Sequence, residues 1–187
     1  MKCILGLCLA ALLVSAGVAQ AVEIGVGAFG GASYPVIMQD AGRGTTYGVR
    51  MPIKGGFPLT FEPFFQLYKM GEGKQTVDDT VQVTRAAFDG TTFGANVILG
   101  SPMGMGLKFF PYGGLNFTKL TRTASEDISE MGFNFGLGLG LGLNEKLSII
   151  ARADANMVKT GETSRKFGNV LVGLNYGLIG PAKGGRP

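Results

Sequence analysis

The stretch GFNFGLGLGLGLNEKL at 132–147 limits the possible fold most strongly, because glycine occupies 136, 138, 140 and 142 while leucine occupies 137, 139, 141 and 143. A period of two is that of a β-strand, whose side chains point alternately to opposite faces. A helix is disfavoured, since each interior glycine would cost about 1 kcal/mol. The glycine face suits a crowded interior, so the leucine face is predicted to point outward, towards an apolar surrounding.

The first 21 residues have the pattern of an export signal. Lys2 precedes an apolar run, and small residues follow up to Ala21. This order is typical of a secretory signal peptide, and we predict cleavage after Ala21. The run is short for a membrane-spanning helix, which needs about 20 residues. Cleavage would remove both cysteines, and the chain contains no histidine and no tryptophan.

The rest of the chain reads as eight strands separated by breaks. The strands are predicted at 22–33, 45–52, 57–69, 85–99, 106–122, 132–143, 147–158 and 167–178. Short turns at 53–56, 100–105 and 144–146 alternate with longer polar loops at 34–44, 70–84, 123–131 and 159–166. This asymmetry is typical of outer-membrane barrels. We therefore predict an all-β, eight-stranded antiparallel up-and-down transmembrane barrel at 22–179, followed by a short disordered tail at 180–187.

The predicted strands at 45–52, 57–69, 132–143, 147–158 and 167–178 each have one face that is uncharged and apolar across the middle of the strand, and the opposite face carries the charges. A basic residue facing lipid near the midplane would cost about 2–4 kcal/mol, so the charges are predicted to lie in the lumen. They are Arg50, Glu62, Arg152 and Asp154, with Glu23 and Lys108 near one end. Either they pair and hold the barrel rigid, or they line a gated ion path. The lumen of eight strands is just wide enough for side chains to fill, which favours pairing.

Together these features resemble the small eight-stranded outer-membrane barrels of the OmpA/OmpX kind. The resemblance is carried by Pro-Tyr-Gly-Gly-Leu-Asn at 111–116, by the Gly-x-Gly run at 136–142 and by the alternating final strand. It implies that the final strand is the signal recognised by the barrel-insertion machinery, through Val170, Val172, Leu174, Tyr176 and Leu178. It also implies aromatic girdles, for which the chain offers Tyr34, Phe57, Tyr68, Phe109, Phe133 and Tyr176.

The sequence does not favour catalysis, because histidine is absent and cysteine is confined to the predicted signal. These residues are the usual general base and thiol nucleophile. No enzyme activity, cofactor or metal is predicted, and the scattered basic residues do not indicate nucleic-acid binding.

Three functions remain open. The first is a structural or surface-interaction barrel with a filled lumen, whose four long loops face an extracellular partner while its N-terminus and tail lie in the periplasm. Its other partners would be outer-membrane lipids and the assembly machinery. The second is a narrow passive channel for ions or small solutes, and the third is a soluble periplasmic barrel that binds an apolar ligand. The register of the predicted strand at 106–122 also stays open. Phe110, Tyr112, Asn116 and Thr118 all fall on one face of a regular strand, and a bulge near Pro111 would switch the faces there.

Overall fold

The computed structural model describes residues 22–36, 41–55, 58–77, 81–85, 88–122, 128–160 and 163–180. The predicted signal peptide at 1–21 and residues 181–187 of the predicted tail lie outside this part of the chain. The described strands are β1 (Glu23–Pro35), β2 (Ala41–Arg50), β3 (Ile53–Lys54), β4 (Leu59–Val77), β5 (Val81–Arg85), β6 (Phe88–Leu99), β7 (Gly106–Arg122), β8 (Ile128–Gly142), β9 (Leu147–Thr160) and β10 (Thr163–Ile179). None of the described segments is a helix long and apolar enough to cross a membrane.

The strands form one closed antiparallel barrel. Each main strand pairs with the next along the chain, and β10 returns to pair with β1 from Ile179 opposite Ile24 to Phe167 opposite Pro35. The short β3 pairs with β1 and β4, as β2 does, and β5 pairs with β4, as β6 does. The ten strands therefore make eight positions around the ring, which confirms the predicted fold class.

Exposure alternates along the main strands, and the middle of each outward row is apolar. On β7 this row contains Leu107, Phe109, Leu115 and Phe117, all exposed on the outside of the barrel. Ten residue steps from Leu107 to Phe117 span about 33 Å along the strand at about 3.3 Å per residue. Tilted by about 40°, this length covers about 25 Å, the height of the lipid-facing band of outer-membrane barrels.

The aromatic girdle prediction holds only in part. Tyr34, Phe109, Phe133 and Tyr176 are exposed on the outer surface. Tyr68 was wrongly assigned, because it lies on the lumen face with its ring edge against Phe167, at 5.0 Å between ring centroids. Phe57 lies outside the described residues.

The predicted loops are too long, because the strands continue beyond the apolar band. Within 70–84, β4 runs on to Val77 and pairs with β5, which leaves only residues 78–80 outside the described residues. Likewise β2 begins inside 34–44, β8 begins inside 123–131, and β9 and β10 extend into 159–166. At the other end, β3 occupies half of the predicted turn 53–56. Backbone ladders form wherever antiparallel strands stay adjacent, even where polar side chains hide the apolar alternation.

No bulge interrupts β7 near Pro111. Its pairing with β8 is continuous from Gly106 opposite Gly142 to Leu120 opposite Ile128. Phe110 and Tyr112 therefore lie inside the barrel on the same face as Asn116. The Phe110 ring rests on Gly138 of β8, where an added Cβ would overlap it. The glycine face of β8 thus leaves room for side chains from its neighbours.

The outward position of Leu137 can be tested with a charge. Leu137 lies near the middle of the outward row of β8, whereas Leu143 is the exposed residue directly after the end of β8. We expect Leu137→Arg to lower the free energy of unfolding in phospholipid vesicles by about 2–4 kcal/mol, and Leu143→Arg by only about 0–1 kcal/mol. Urea unfolding measures both values. Equal losses in the two variants would contradict the lipid-facing assignment.

Candidate functional site

The four charges predicted for the lumen all lie inside the barrel. Glu62 and Arg152 form a two-pronged ion pair, with Oε1 and Oε2 accepting from Nη1 and Nη2 at 2.6 and 2.7 Å. Their side chains are 0% and 3% exposed. Glu62 belongs to β4 and Arg152 to β9, which lie opposite each other in the ring of eight. The ion pair therefore spans the lumen.

A ladder of amides extends the ion pair around the inner wall. Asn96 donates to Glu62 at 3.2 Å, Asn134 donates to Asn96 at 2.8 Å, and Asn116 donates to Asn134 at 3.3 Å. Thr118 then donates to Asn116 and shares a hydrogen bond with Thr92. These groups are buried, and their mutual hydrogen bonds offset the cost of removing them from water.

Asp154 is held separately from the ion pair. Its carboxylate accepts hydrogen bonds from Tyr112 at 2.8 Å, from Asn169 at 2.9 Å and from Asn156. The guanidinium of Arg152 also lies over the Tyr112 ring, with its Cζ 4.7 Å from the ring centroid. Tyr112 thereby links Asp154 to the ion pair, although the carboxylates of Asp154 and Glu62 share no direct hydrogen bond.

Arg50 has no carboxylate partner among the described residues. Its Nε donates to Asn175 at 2.9 Å, and its Cζ lies 5.3 Å from the ring centroid of Phe29. Of the buried side-chain atoms in the described segments, Arg50 Nη2, Arg152 Nε and Asn175 Nδ2 lack a hydrogen-bond partner. All three are donors, and both arginines border a cavity of about 20 Å³. That volume has room for about one water molecule.

Apolar side chains close the lumen on both sides of the charges. Towards the long loops, Tyr68 of β4 packs across the barrel against Val158 and Phe167. Towards the short turns, Phe110 packs with Ile98, Tyr112 and Ile150. These two groups are called the loop-side cluster and the turn-side cluster below.

The turn between β6 and β7 adds a cap at the turn side. Gly100, Gly104 and Gly106 have φ of 102°, 89° and 86°, values that residues with a Cβ rarely adopt. The turn buries Met103, which lies so close to Gly25 that a Cβ there would collide with its sulfur. Lys108 donates to the carbonyl of Met103, which holds the turn in place.

The remaining predicted positions lie apart from this network. Glu23 and Lys54 form a partly exposed ion pair at 3.4 Å near the same end. The proposed assembly strand faces outward, with Val170, Val172, Leu174, Tyr176 and Leu178 all exposed. Within the described residues, no three metal-ligating side chains come together.

Sequence reasoning missed the asparagine ladder and the Met103 cap. A signal for the ladder was present, because Asn96, Asn116 and Asn134 occupy lumen positions on three successive main strands. No pattern predicted the cap, because Met103 lies in a turn, where the alternation of side chains along a strand does not assign a residue to either face.

Comparisons with known proteins agree with this geometry. Residues 6–177 match the family described as outer membrane protein beta-barrel domain. The fold is similar to Neisserial surface protein A, with a TM-score of 0.60 and 12% identity over 83% of this chain and 96% of that one. It is also similar to a major outer membrane protein of Thermus thermophilus, with a TM-score of 0.57 and 11% identity over 84% and 99% of the two chains. A search of curated proteins found no match.

A third similar structure is Ail, the attachment invasion locus protein of Yersinia pestis, solved in complex with the heparin analogue sucrose octasulfate. Its TM-score is 0.51, at 13% identity over 85% of this chain and 99% of that one. At such identities the likeness concerns the fold alone.

Removing the negative charge of Glu62 should lower the stability of the barrel strongly, and should lower it less when Arg152 is replaced as well. Glu62→Gln leaves the Arg152 guanidinium buried without its counter-charge, and we expect the free energy of unfolding to fall by about 3–5 kcal/mol. The double variant Glu62→Gln/Arg152→Met should recover part of that loss, because no unpaired charge remains. Glu145→Gln, in an exposed turn, serves as the control and should change little. A single variant as stable as the control would show that the pair does not support the barrel.

Proposed function

The chain belongs to the outer membrane protein beta-barrel domain family, and we propose that it is a closed, non-conducting barrel whose loop end serves surface interaction. The barrel is an outer-membrane protein of the Gram-negative cell envelope.

The filled lumen is the observation that carries this proposal. The Glu62–Arg152 ion pair crosses the barrel, the loop-side and turn-side clusters pack on either side of it, and Met103 caps one end. A conducting path would need a continuous polar route, whereas the cavity at the level of the ion pair measures about 20 Å³. This arrangement supports a rigid scaffold more than a channel.

The loop end supports the surface role. The longest strands extend past the apolar band there, and β4 with β5 forms a hairpin that stands beyond the barrel wall. In outer-membrane barrels the long connections are extracellular and the short turns periplasmic. We therefore place the hairpin and the segments 34–44, 70–84, 123–131 and 159–166 outside the cell, and both termini in the periplasm.

Binding of an apolar ligand and catalysis both fit the lumen less well. A barrel that binds an apolar ligand needs an open apolar interior. Here the middle of the lumen holds Asn, Thr, Arg and Glu side chains that bond to one another, and the apolar side chains on either side pack together. Catalysis is not part of the proposal, because Glu62 and Asp154 are both engaged in hydrogen bonds with neighbouring side chains.

Planar-bilayer recording tests the closed lumen. We expect the wild-type protein to show no discrete conductance steps. The double variant Phe110→Ala/Tyr112→Ala removes two rings that fill the lumen and should conduct more than the wild type, provided that it still shifts in electrophoretic mobility on boiling. Discrete steps from the wild-type protein would contradict the proposal and favour the channel.

Epitope labelling tests the orientation. A short peptide tag inserted at 78–80, between β4 and β5, should be labelled by antibody on intact cells. The same tag inserted after Glu145, in the turn between β8 and β9, should be labelled only after the outer membrane is permeabilised. Labelling of the second site on intact cells would reverse the proposed orientation.

A further inference from the structure

The cap at the turn side of the barrel crosses the mouth of the ring from one wall to another. On one side its backbone lies over β8, where a Cβ added at Gly142 would overlap the carbonyl of Gly104. On the other side the side chain of Met103 reaches β1 at Gly25. Because β8 and β1 lie three positions apart in the ring, the turn at 100–106 spans the opening instead of following its rim.

The base of the cap is fixed, and glycines stand at both of its ends. The amide of Gly100 donates to the carbonyl of Pro58 at 2.6 Å, and the Thr60 hydroxyl donates to the carbonyl of Gly100 at 2.6 Å. Gly100 and Gly106 both have positive φ, a backbone region that glycine enters without steric cost. The tip between these glycines could therefore turn outward while the pairing of β6 with β7 stays intact.

The thioether of Met103 anchors the tip of the cap in the mouth. A Cβ added at Gly25 would lie 2.6 Å from the Met103 sulfur and 3.3 Å from Cγ of Pro52, so both side chains pack on the bare backbone of Gly25. The carbonyl of Met103 accepts from the Lys108 ammonium, and its amide donates to the Ser101 hydroxyl at 3.2 Å. The backbone of Met103 thus supplies polar contacts, while its sulfur supplies the apolar contact with β1.

An open cavity adjoins the outer side of the cap. It measures about 480 Å³ and is bordered by Met103, Met105 and Ile179, among others. Met103 and Met70 are the buried methionines of the described residues, at 6% and 3% exposed. Met70 packs at the other end of the barrel in an apolar cluster with Ala41, Phe88 and Leu120. Of these two side chains, it is Met103 that borders a space which a small solute can enter.

We propose that Met103 is an oxidation site, and that its conversion to methionine sulfoxide by a hydroperoxide releases the cap from the mouth of the barrel. With hydrogen peroxide, the sulfur attacks one oxygen, and an S–O bond forms as the O–O bond breaks. The proton of the transferred oxygen passes to the departing hydroxide, which leaves as water. The sulfur loses two electrons and the peroxide gains them, so no further reactant is needed.

The sulfoxide does not fit the place that the thioether occupies. Oxidation makes the apolar sulfur a polar group, and a polar group is costly to bury without a hydrogen bond. Neither neighbour offers a donor, because Pro52 has no N–H and the amide of Gly25 already donates to the carbonyl of Pro52 at 2.9 Å. Turning outward into the cavity returns the sulfoxide to water and takes the tip of the cap with it.

Hydrogen peroxide treatment of the folded barrel in detergent micelles tests the site. Peptide mass spectrometry should find Met103 oxidised at least about tenfold faster than Met70, since local access controls the rate. Hydrogen exchange of the amides at 100–106 should then be at least about tenfold faster than before treatment. Met103→Leu has no sulfur to oxidise and should keep slow exchange, whereas the control Met105→Leu should respond as the wild type does. Methionine sulfoxide reductase should restore slow exchange in the wild type.

A second pair of variants tests the release of the cap without an oxidant. Met103→Gln places a polar side chain of similar length in the mouth and should exchange fast before any peroxide is added, whereas Met105→Gln should exchange slowly. All variants must show the boiling-dependent mobility shift, so that unfolding is not scored as release.

Three results would each overturn the proposal: oxidation of Met103 no faster than that of Met70, equal exchange after peroxide in the wild type and Met103→Leu, or slow exchange in Met103→Gln. The inference goes beyond the proposed function, because none of these measurements depends on orientation or conductance. The cap and the surface role can therefore fail separately.

Discussion

Closure of β10 onto β1 is the constraint on which the rest of the structure depends. Hydrocarbon offers no partner for a backbone N–H or C=O, so a sheet that crosses it cannot have an open edge. The antiparallel register between Ile24 and Pro35 on one side and Ile179 and Phe167 on the other removes that edge. Once the ring is closed, each strand has one face in lipid and one in a narrow lumen, and the alternation of apolar and polar residues follows from that geometry.

The narrow lumen in turn explains why charges and glycines share it. Glu62 and Arg152 lie on opposite walls and meet at hydrogen-bond distance, which is possible only because the barrel has eight strands and a small diameter. Gly138 and its neighbours on β8 leave space into which Phe110 projects from β7. The same packing that offsets the burial of charge also closes the route through the membrane, so stability and lack of conductance have one structural origin.

Most of the barrel could be predicted from local patterns, and its outer end could not. Parity alone placed Arg50, Glu62, Arg152 and Asp154 on the inner face, where the structure has them. The strand ends at Val77 and Ile128 were missed because charged and polar residues such as Glu72, Lys74 and Glu130 interrupt the apolar alternation in those segments. The sequence left a bulge at Pro111 open, and none forms, because Phe110 and Tyr112 both lie on the inner face and the Phe110 ring fills the space above Gly138.

By itself, the sequence determined the fold class, the two faces of each strand and the alternation of short and long connections, because these depend on side-chain periodicity and turn composition within a strand. Tertiary structure decided which charges meet. Residue 62 could have paired with Arg50 or Arg152, and it pairs with Arg152 because β4 and β9 face each other across the lumen. Tertiary structure also decided that Met103 folds inward as a cap. Contacts between residues distant in the chain depend on the ring's diameter and register, which no local pattern contains.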